Sequence, residues 1–262
     1  MGAILTAIKR GFGIAVKNLG LVLILIVFNV IGSLASMPFA VQPGQTPTPQ
    51  MTASALIFSV IFILISIFFQ GATLALVRDY VKSGAAKLGS FVSYGAKYYL
   101  KLFGLGLLII LIIGIAALAA GLLVAATTPL NNAIVTNIAV GIAVAIVAIV
   151  GLLYFVPLTL SPYSLVCGEL GVLAAMKDSL AVAKKPFSRV LWLVLLFVLL
   201  ILIALGIGLV VGFVVGLLTA VMPAAAGRIV MAVVTSCING YLGIVMTGSF
   251  MVFYLGLKEK AV

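Results

Sequence analysis

The run LWLVLLFVLLILIALGIGLVVGFVVGLLTAVM occupies residues 191–222 and contains no charged side chain. Leucine, isoleucine and valine crowd it without the alternation of apolar and polar residues that a barrel strand shows. About 20 consecutive apolar residues allow an α-helix to cross the hydrocarbon core of a bilayer. Because only a helix satisfies all its backbone hydrogen bonds within one such segment, the run predicts a transmembrane helix.

Five further stretches have the same character, so the sequence predicts six transmembrane helices. The predicted spans are residues 18–40, 54–77, 102–126, 133–160, 191–222 and 229–255. At about 1.5 Å of rise per residue, each is long enough to cross ~30 Å of hydrocarbon. The predicted fold class is therefore an all-α integral membrane protein with six transmembrane helices.

The composition supports a membrane protein and excludes most classes of soluble enzyme. Of the 262 residues, 65% are hydrophobic and 7% are charged, whereas soluble domains carry roughly 25% charged residues. The chain has no histidine, which removes histidine general bases and imidazole metal ligands. The predicted spans also lack paired carboxylates. We therefore expect no enzyme activity and no cofactor.

The positive charge is concentrated on one side of the predicted bundle. Of the 15 lysines and arginines, all except Arg228 fall at the termini or in the connections 78–101 and 161–189. The positive-inside rule then predicts that both termini are cytoplasmic. The net charge of +11 forms a belt that faces anionic lipid headgroups, and nucleic acid is not an expected partner. Short loops and a strong basic bias favour the cytoplasmic membrane of a prokaryote.

The connections also predict an internal repeat within a single membrane domain, residues 1–262. The predicted external connections are short, whereas a long, partly apolar and basic segment precedes each odd-numbered span. This regularity predicts three copies of one unit, each an interfacial helix followed by a helical hairpin. The predicted repeats are residues 1–77, 78–160 and 161–262.

The segments before the odd-numbered spans are predicted to form amphipathic helices at the headgroup level. In the first of them, Ile4, Ile8, Phe12 and Val16 follow helical spacing. Aromatic rings and extended lysine side chains belong at this depth. A structural anchor is one interpretation, and a surface that binds lipid or a protein partner is the other. The residues of that candidate surface are Lys9, Arg10, Lys17, Lys97, Lys101, Lys184 and Lys185.

A cluster of unusual residues precedes the fifth span. Pro157 and Pro162 should interrupt the end of the fourth span, because proline lacks a backbone N–H and disfavours helix before it. A short helix over residues 168–185 would place Glu169 in its first turn, where its charge complements the helix dipole. Asp178 faces its neighbouring lysine poorly, so a basic helix of another repeat is its expected partner. These two prolines and two acids form a candidate structural latch between repeats, with a binding site as the alternative.

The fifth span carries Gly208, Gly212 and Gly216 at intervals of four residues. Such spacing allows the backbone of a neighbouring helix to approach closely, so these glycines predict a helix-packing face. The neighbour is either another span of the same chain or a second copy in a homo-oligomer. The spacing does not distinguish between them.

The stretch PYSLV at residues 162–166 carries a resemblance to known proteins. It is followed by Glu169 and a basic pair before a new hydrophobic span, and the whole resembles an element of prokaryotic six-span membrane proteins of poorly defined role. These include the membrane domain attached to some glycerophosphoryl diester phosphodiesterases and the YciC-like families. The resemblance covers the chain in topology and only this stretch in motif. Without a phosphodiesterase domain after the sixth span, it implies no hydrolase activity and no catalytic residues.

Two classes of function are compatible with this sequence. Channels and coupled transporters usually place ionisable residues at membrane depth, and no predicted span has one near its centre. We therefore expect a non-enzymatic scaffold or accessory subunit that engages lipids or a protein partner through its basic helices. The alternative is a permease for a small neutral or lipid-like molecule, motivated by Asn29, Gln70 and Asn239 at membrane depth.

Overall fold

The computed structural model describes residues 2–39, 46, 48–127, 129, 133–219 and 224–259, and its regular elements in those ranges are all helical. The α-helices are α1 Gly2–Lys17, α2 Leu19–Ser36, α3 Pro49–Ser83, α4 Phe91–Thr127, α5 Ala133–Val150, α6 Val156–Leu158, α7 Ser161–Cys167, α8 Val172–Lys184, α9 Phe187–Thr219 and α10 Ala224–Glu259. A π-helical turn, Gly151–Phe155, joins α5 to α6.

Six helical segments of the described residues are long and apolar enough to cross a membrane. They are Leu19–Phe39, Pro49–Ser83, Leu88–Thr127, Ile134–Cys167, Phe187–Leu217 and Ala226–Glu259. The six predicted spans each correspond to one of these segments, which supports a six-span membrane protein. The three predicted external connections, residues 42–52, 127–132 and 223–228, lie partly outside the described residues. The repeats and the side of the termini stay predictions.

Local chemistry explains where several helices begin and end. Asn18 separates α1 from α2, and its side-chain Nδ2 donates to the Ile14 carbonyl at 2.9 Å, which satisfies a carbonyl at the end of α1. At the start of α3, the Thr48 hydroxyl accepts from the Met51 N–H at 3.2 Å. Gly84 closes the same helix in the left-handed region at φ 76°, which glycine adopts without steric cost.

The segment before the third span does not form a helix of its own. Residues 91–101 are the first turns of α4, which continues over 37 residues to Thr127. By contrast, Asn18 ends α1 before α2, and Lys185 and Pro186 form a turn between α8 and α9. Residues 91–101 contain neither a proline nor a capping asparagine, so no residue of this segment ends the helix.

The chain divides into two compact units, which we describe separately. The first consists of Met1–Tyr99 and Trp192–Lys260, and the second of Leu100–Leu191. In the first unit, α10 packs against α1, α2 and α3. In the second, α8 packs against α6 and α7, and the α7 side chains of Leu165 and Val166 are fully buried.

Glycines allow α1 and α2 to approach α10 closely. A Cβ atom built on Gly248 would lie 3.3 Å from the Gly11 Cα, and one built on Gly11 would overlap the Ser249 hydroxyl. Likewise, a Cβ on Gly240 would lie 3.0 Å from the Ile26 amide nitrogen. Small residues at these positions let backbones meet, which favours packing where lipid removes the hydrophobic drive between helices.

Gly11 and Gly13 offer a matched test of this packing. We expect Gly11→Leu to lower the free energy of unfolding by about 1–3 kcal/mol, because its side chain overpacks the contact with Ser249. Gly13→Leu changes the same helix by the same atoms, and a Cβ there meets no atom within 4 Å. Thermal denaturation in detergent measures both. Equal midpoints for the two variants would contradict the tight α1–α10 contact.

Candidate functional site

A groove with a basic wall lies in the first unit, where α1, α3 and α10 meet. Its volume is about 630 Å³. We call it the basic groove, and its lining residues are Thr6, Lys9, Arg10, Gly13, Ile14, Lys17, Tyr80, Val81 and Val252. The structure thus brings together three of the predicted surface cations, Lys9, Arg10 and Lys17.

Helical spacing explains why these cations share one groove. Thr6, Lys9, Gly13 and Lys17 follow one another at three or four residues, so they lie along one face of α1. The neighbouring face buries Ala7 and other small or apolar residues against α10. Packing of α1 therefore fixes the orientation of its basic face.

The chemistry of the basic groove suits an anion. Its lining holds three positive charges and two hydroxyl groups, and no carboxylate is among its lining residues. Arginine presents a planar fork of donors that matches phosphate oxygens, whereas lysine acts as a compact charge. The groove also has apolar walls at Ile14, Val81 and Val252. A phosphate group attached to an apolar body fits this combination.

A buried ion pair lies next to Tyr80 in the chain. The guanidinium of Arg78 contacts the Asp79 carboxylate, with Nη2 2.7 Å from Oδ1. Its Nη1 donates to the Tyr98 hydroxyl at 2.8 Å, and the Tyr94 hydroxyl donates to Asp79 Oδ2 at 2.6 Å. These contacts tie the end of α3 to the first turns of α4.

This network compensates the cost of burying a charge. Arg78 is 8% exposed, and an uncompensated charge at such a position is strongly unfavourable. The guanidinium also lies over the rings of Tyr94 and Tyr98, with its carbon 5.6 and 5.9 Å from their centroids. Cation–π contact at these distances adds to the ion pair. The cluster is therefore a structural brace at the end of α3.

The other predicted surface cations lie elsewhere in the structure. The Lys97 ammonium lies 5.3 Å from the centroid of the Tyr98 ring. The Lys101 ammonium lies 3.4 Å from the backbone carbonyls of Glu169 and of the residue after it. Lys184 and Lys185 are exposed at the end of α8. The basic groove contains none of these four lysines in its lining.

The predicted latch residues lie within the second unit. Pro157 and Pro162 stand at the first turns of α6 and α7, and the π-helical turn Gly151–Phe155 directly precedes α6. The Ser164 hydroxyl donates to Asp178 Oδ2 at 2.5 Å. The Ser179 hydroxyl donates to the Pro157 carbonyl. Asp178 and Ser179, which are neighbours on α8, thus contact α7 and α6 respectively, and Ser164 is one partner of Asp178.

Glu169 precedes α8 instead of occupying its first turn. The helix begins at Val172 with Gly171 as its N-cap. Glu169 is exposed and has a positive φ of 52°. The glycines on either side, Gly168 and Gly171, favour a turn here, which explains why the helix starts later than the sequence pattern indicates.

The glycine face of α9 lines open space. A Cβ atom built on Gly208 or Gly216 would meet no atom of the described structure within 4 Å, and one on Gly212 would lie 3.4 Å from Met231 Cε. Gly208 lines a crevice of about 570 Å³ with Asn239 on α10. The other two polar residues proposed for a permeation path, Asn29 and Gln70, are not among the residues that line this crevice. Asn29 is half-buried and Gln70 is exposed.

Two features of the site escaped the sequence analysis. Tyr80 and Val252 complete the basic groove, although they lie more than 170 residues apart in the chain. The brace at Arg78 was also missed, although tyrosines four residues apart follow an Arg-Asp pair. Spacing by four residues places both tyrosine hydroxyls on one helix face, so the sequence contains a pattern from which a shared hydrogen-bonding partner could be predicted.

In the part of the chain that the structure describes, no three Asp, Glu or Cys side chains are grouped to hold a metal ion. Comparison with models of known protein families, with characterised proteins and with solved structures finds no match for this chain.

Removal of the buried cation tests the brace. We expect Arg78→Met to lower the free energy of unfolding by about 3 kcal/mol, because it leaves the Asp79 carboxylate and the Tyr98 hydroxyl without the guanidinium. The double variant Arg78→Met/Asp79→Leu should recover part of that loss. Denaturant or thermal unfolding in detergent measures the effect.

Arg189→Met is the matched control, because Arg189 is exposed and should change stability by no more than about 0.5 kcal/mol. A loss for Arg78→Met no larger than this would show that the ion pair is dispensable.

Proposed function

We propose that this protein is a non-enzymatic membrane scaffold or accessory subunit that engages anionic lipid headgroups through the basic groove. The observation that carries the proposal is the convergence of Lys9, Arg10 and Lys17 on one cavity without a carboxylate in its lining. We place the groove on the cytoplasmic side of a prokaryotic cell membrane, with both termini on that side. The positive-inside distribution of lysine and arginine supports this orientation.

Electrostatics and shape support lipid as the ligand. Each lysine or arginine near an anionic leaflet contributes about 1 kcal/mol of attraction. The groove adds a defined cavity with apolar walls at Val81 and Val252, which suits a headgroup still attached to its chains. A scaffold role explains why the charged side chains lie toward the ends of the predicted spans rather than near their centres. A protein partner or a second copy of the chain would then be organised around the bound lipid.

A permease for a small neutral or lipid-like molecule is the second candidate. The crevice that contains Asn239 favours it, because two polar side chains of the sixth predicted span, Thr235 and Asn239, line it. Accumulation of solute in liposomes that contain the protein would distinguish a permease from a scaffold. A scaffold predicts no protein-dependent uptake.

Neutralising the groove tests the first proposal. We expect Lys9→Gln/Arg10→Gln/Lys17→Gln to reduce the preference for phosphatidylglycerol over phosphatidylcholine by at least about tenfold, because three charges around one cavity are lost. Competition between the two lipids for the purified protein, followed by native mass spectrometry, measures the preference.

The matched control removes three exposed lysines of the other unit, in Lys177→Gln/Lys184→Gln/Lys185→Gln. Its net charge changes by the same amount, but these side chains do not line the basic groove, so its lipid preference should change less. Equal losses in the two triple variants would contradict a defined lipid site and leave only a diffuse basic surface.

Stoichiometric proteins that co-purify in native lipid particles would identify the partner of an accessory subunit.

A further inference from the structure

An elongated, open crevice runs between the α9 and α10 helices within the first unit, and Ser33 and Met37 also line one part of it. One part of it, about 570 Å³, lies between residues 201–209 of α9 and residues 235–246 of α10. A second part, about 510 Å³, lies between residues 212–216 of α9 and residues 227–235 of α10. Thr235 lines both parts, so they adjoin along α10. We call the two together the α9–α10 crevice.

Contact at one end and small residues beyond it explain this crevice. The rings of Phe197 and Phe250 stack with their centroids 5.0 Å apart, and both side chains are buried. Toward the other end, α9 presents Ala204, Gly208 and Gly212 to the crevice. These residues have little or no side chain to fill the space. The opening is therefore left by the small size of these residues, and it is wide enough for an apolar chain.

The length of the crevice matches half a bilayer. From Ile201 to Gly216 along α9, the rise of about 1.5 Å per residue gives roughly 22 Å. One leaflet with its headgroup region is also roughly 20–22 Å deep, half of the ~40–45 Å total. The crevice therefore has the length of a single phospholipid from headgroup to chain end.

The two ends of the crevice differ in chemistry as the two ends of a phospholipid do. At the end near the start of α10, the lining contains Arg228, and Ser33 and Thr235 add hydroxyl groups to the same part of the crevice. Beyond Thr235, the lining is apolar except for Asn239. Arg228 is exposed, and a guanidinium binds phosphate oxygens in a bidentate manner. No carboxylate is among the lining residues to compete with a phosphate.

We propose that the α9–α10 crevice binds one glycerophospholipid, with its phosphate at Arg228 and one acyl chain along Gly216, Gly212 and Gly208. By the charge distribution, this lipid belongs to the leaflet opposite the basic groove. Arg228 is the single predicted cation of that side, and it lies at the mouth of the crevice. Its positive charge complements a phosphate, and the length of the crevice matches one leaflet, so a phospholipid fits both features. The site does not depend on the basic groove, and it requires a phosphate but no net negative charge.

A photoreactive phosphatidylcholine tests the site. The probe carries a diazirine near the end of one acyl chain and is mixed into phosphatidylcholine liposomes that contain the full chain. We expect cross-links within residues 201–209 and 242–246. Gly208→Leu should reduce this cross-linking about tenfold, because its side chain fills the crevice. Arg228→Gln should reduce it about fivefold, and Arg228→Lys should reduce it less.

Gly206→Leu is the matched control on the same helix. Gly206 is exposed and does not line the crevice, and a Cβ there meets no atom within 4 Å. Equal cross-linking of Gly208→Leu and Gly206→Leu would overturn the proposal, because it would show lipid that merely surrounds the protein. A wild-type dimer that Gly208→Leu dissociates, measured by analytical ultracentrifugation in detergent, would overturn it in favour of a second copy. Since phosphatidylcholine has no net charge, neutralising the basic groove should leave this cross-linking unchanged.

Discussion

The close contact between α1 and α10 is the interaction on which the rest of the first unit depends. Gly11 and Gly248 let the two helices meet almost backbone to backbone. In lipid, helices gain little from hiding apolar surface from one another, so such tight packing of small residues carries the association. The contact fixes the rotation of α1 about its axis. That rotation turns Lys9 and Lys17 toward α3 and makes a groove from residues that would otherwise form a diffuse basic surface.

The pair of Arg78 and Asp79 fixes the position of the opposite wall of that groove, which Tyr80 and Val81 of α3 form. It joins the end of α3 to the start of α4 through Tyr94 and Tyr98. Tyr80, which lines the groove, follows the pair directly in the chain. Burial of a charge is costly unless every partner is in place, so the brace tolerates few alternative arrangements. The basic groove is thus held by apolar packing on one side and by charge on the other.

The six spans could be predicted from the sequence because each has enough apolar residues to cross a membrane by itself. The break at Pro157 and Pro162 could be predicted for a similar reason, since proline acts locally. The start of α8 could not, because the turn around Glu169 depends on the backbone of neighbouring glycines. The basic groove was predicted only as a set of cations. Its assembly depends on contacts between α1, α3 and α10, and the hydrophobic pattern does not specify these.

The packing of the glycines differs most from what their spacing in the sequence predicts. The spacing of Gly208, Gly212 and Gly216 predicts a packed face, yet the structure leaves space beside Gly208. Gly240 and Gly248, in a less regular pattern, form the tight contacts with α2 and α1. The difference arises from the rest of each interface: the stacked rings of Phe197 and Phe250 keep α9 and α10 in contact at one end only. The spacing of glycines in a helix shows that a neighbouring helix can approach closely, but it does not identify that neighbour.

A cryo-EM map of the protein in nanodiscs that contain phosphatidylglycerol would show whether the basic groove holds a lipid. We expect headgroup density in the basic groove, with a phosphate within hydrogen-bonding distance of the Arg10 guanidinium and of the ammonium of Lys9 or Lys17. A map in which α1 packs on α10 as described, but the groove is empty or is filled by protein, would contradict it.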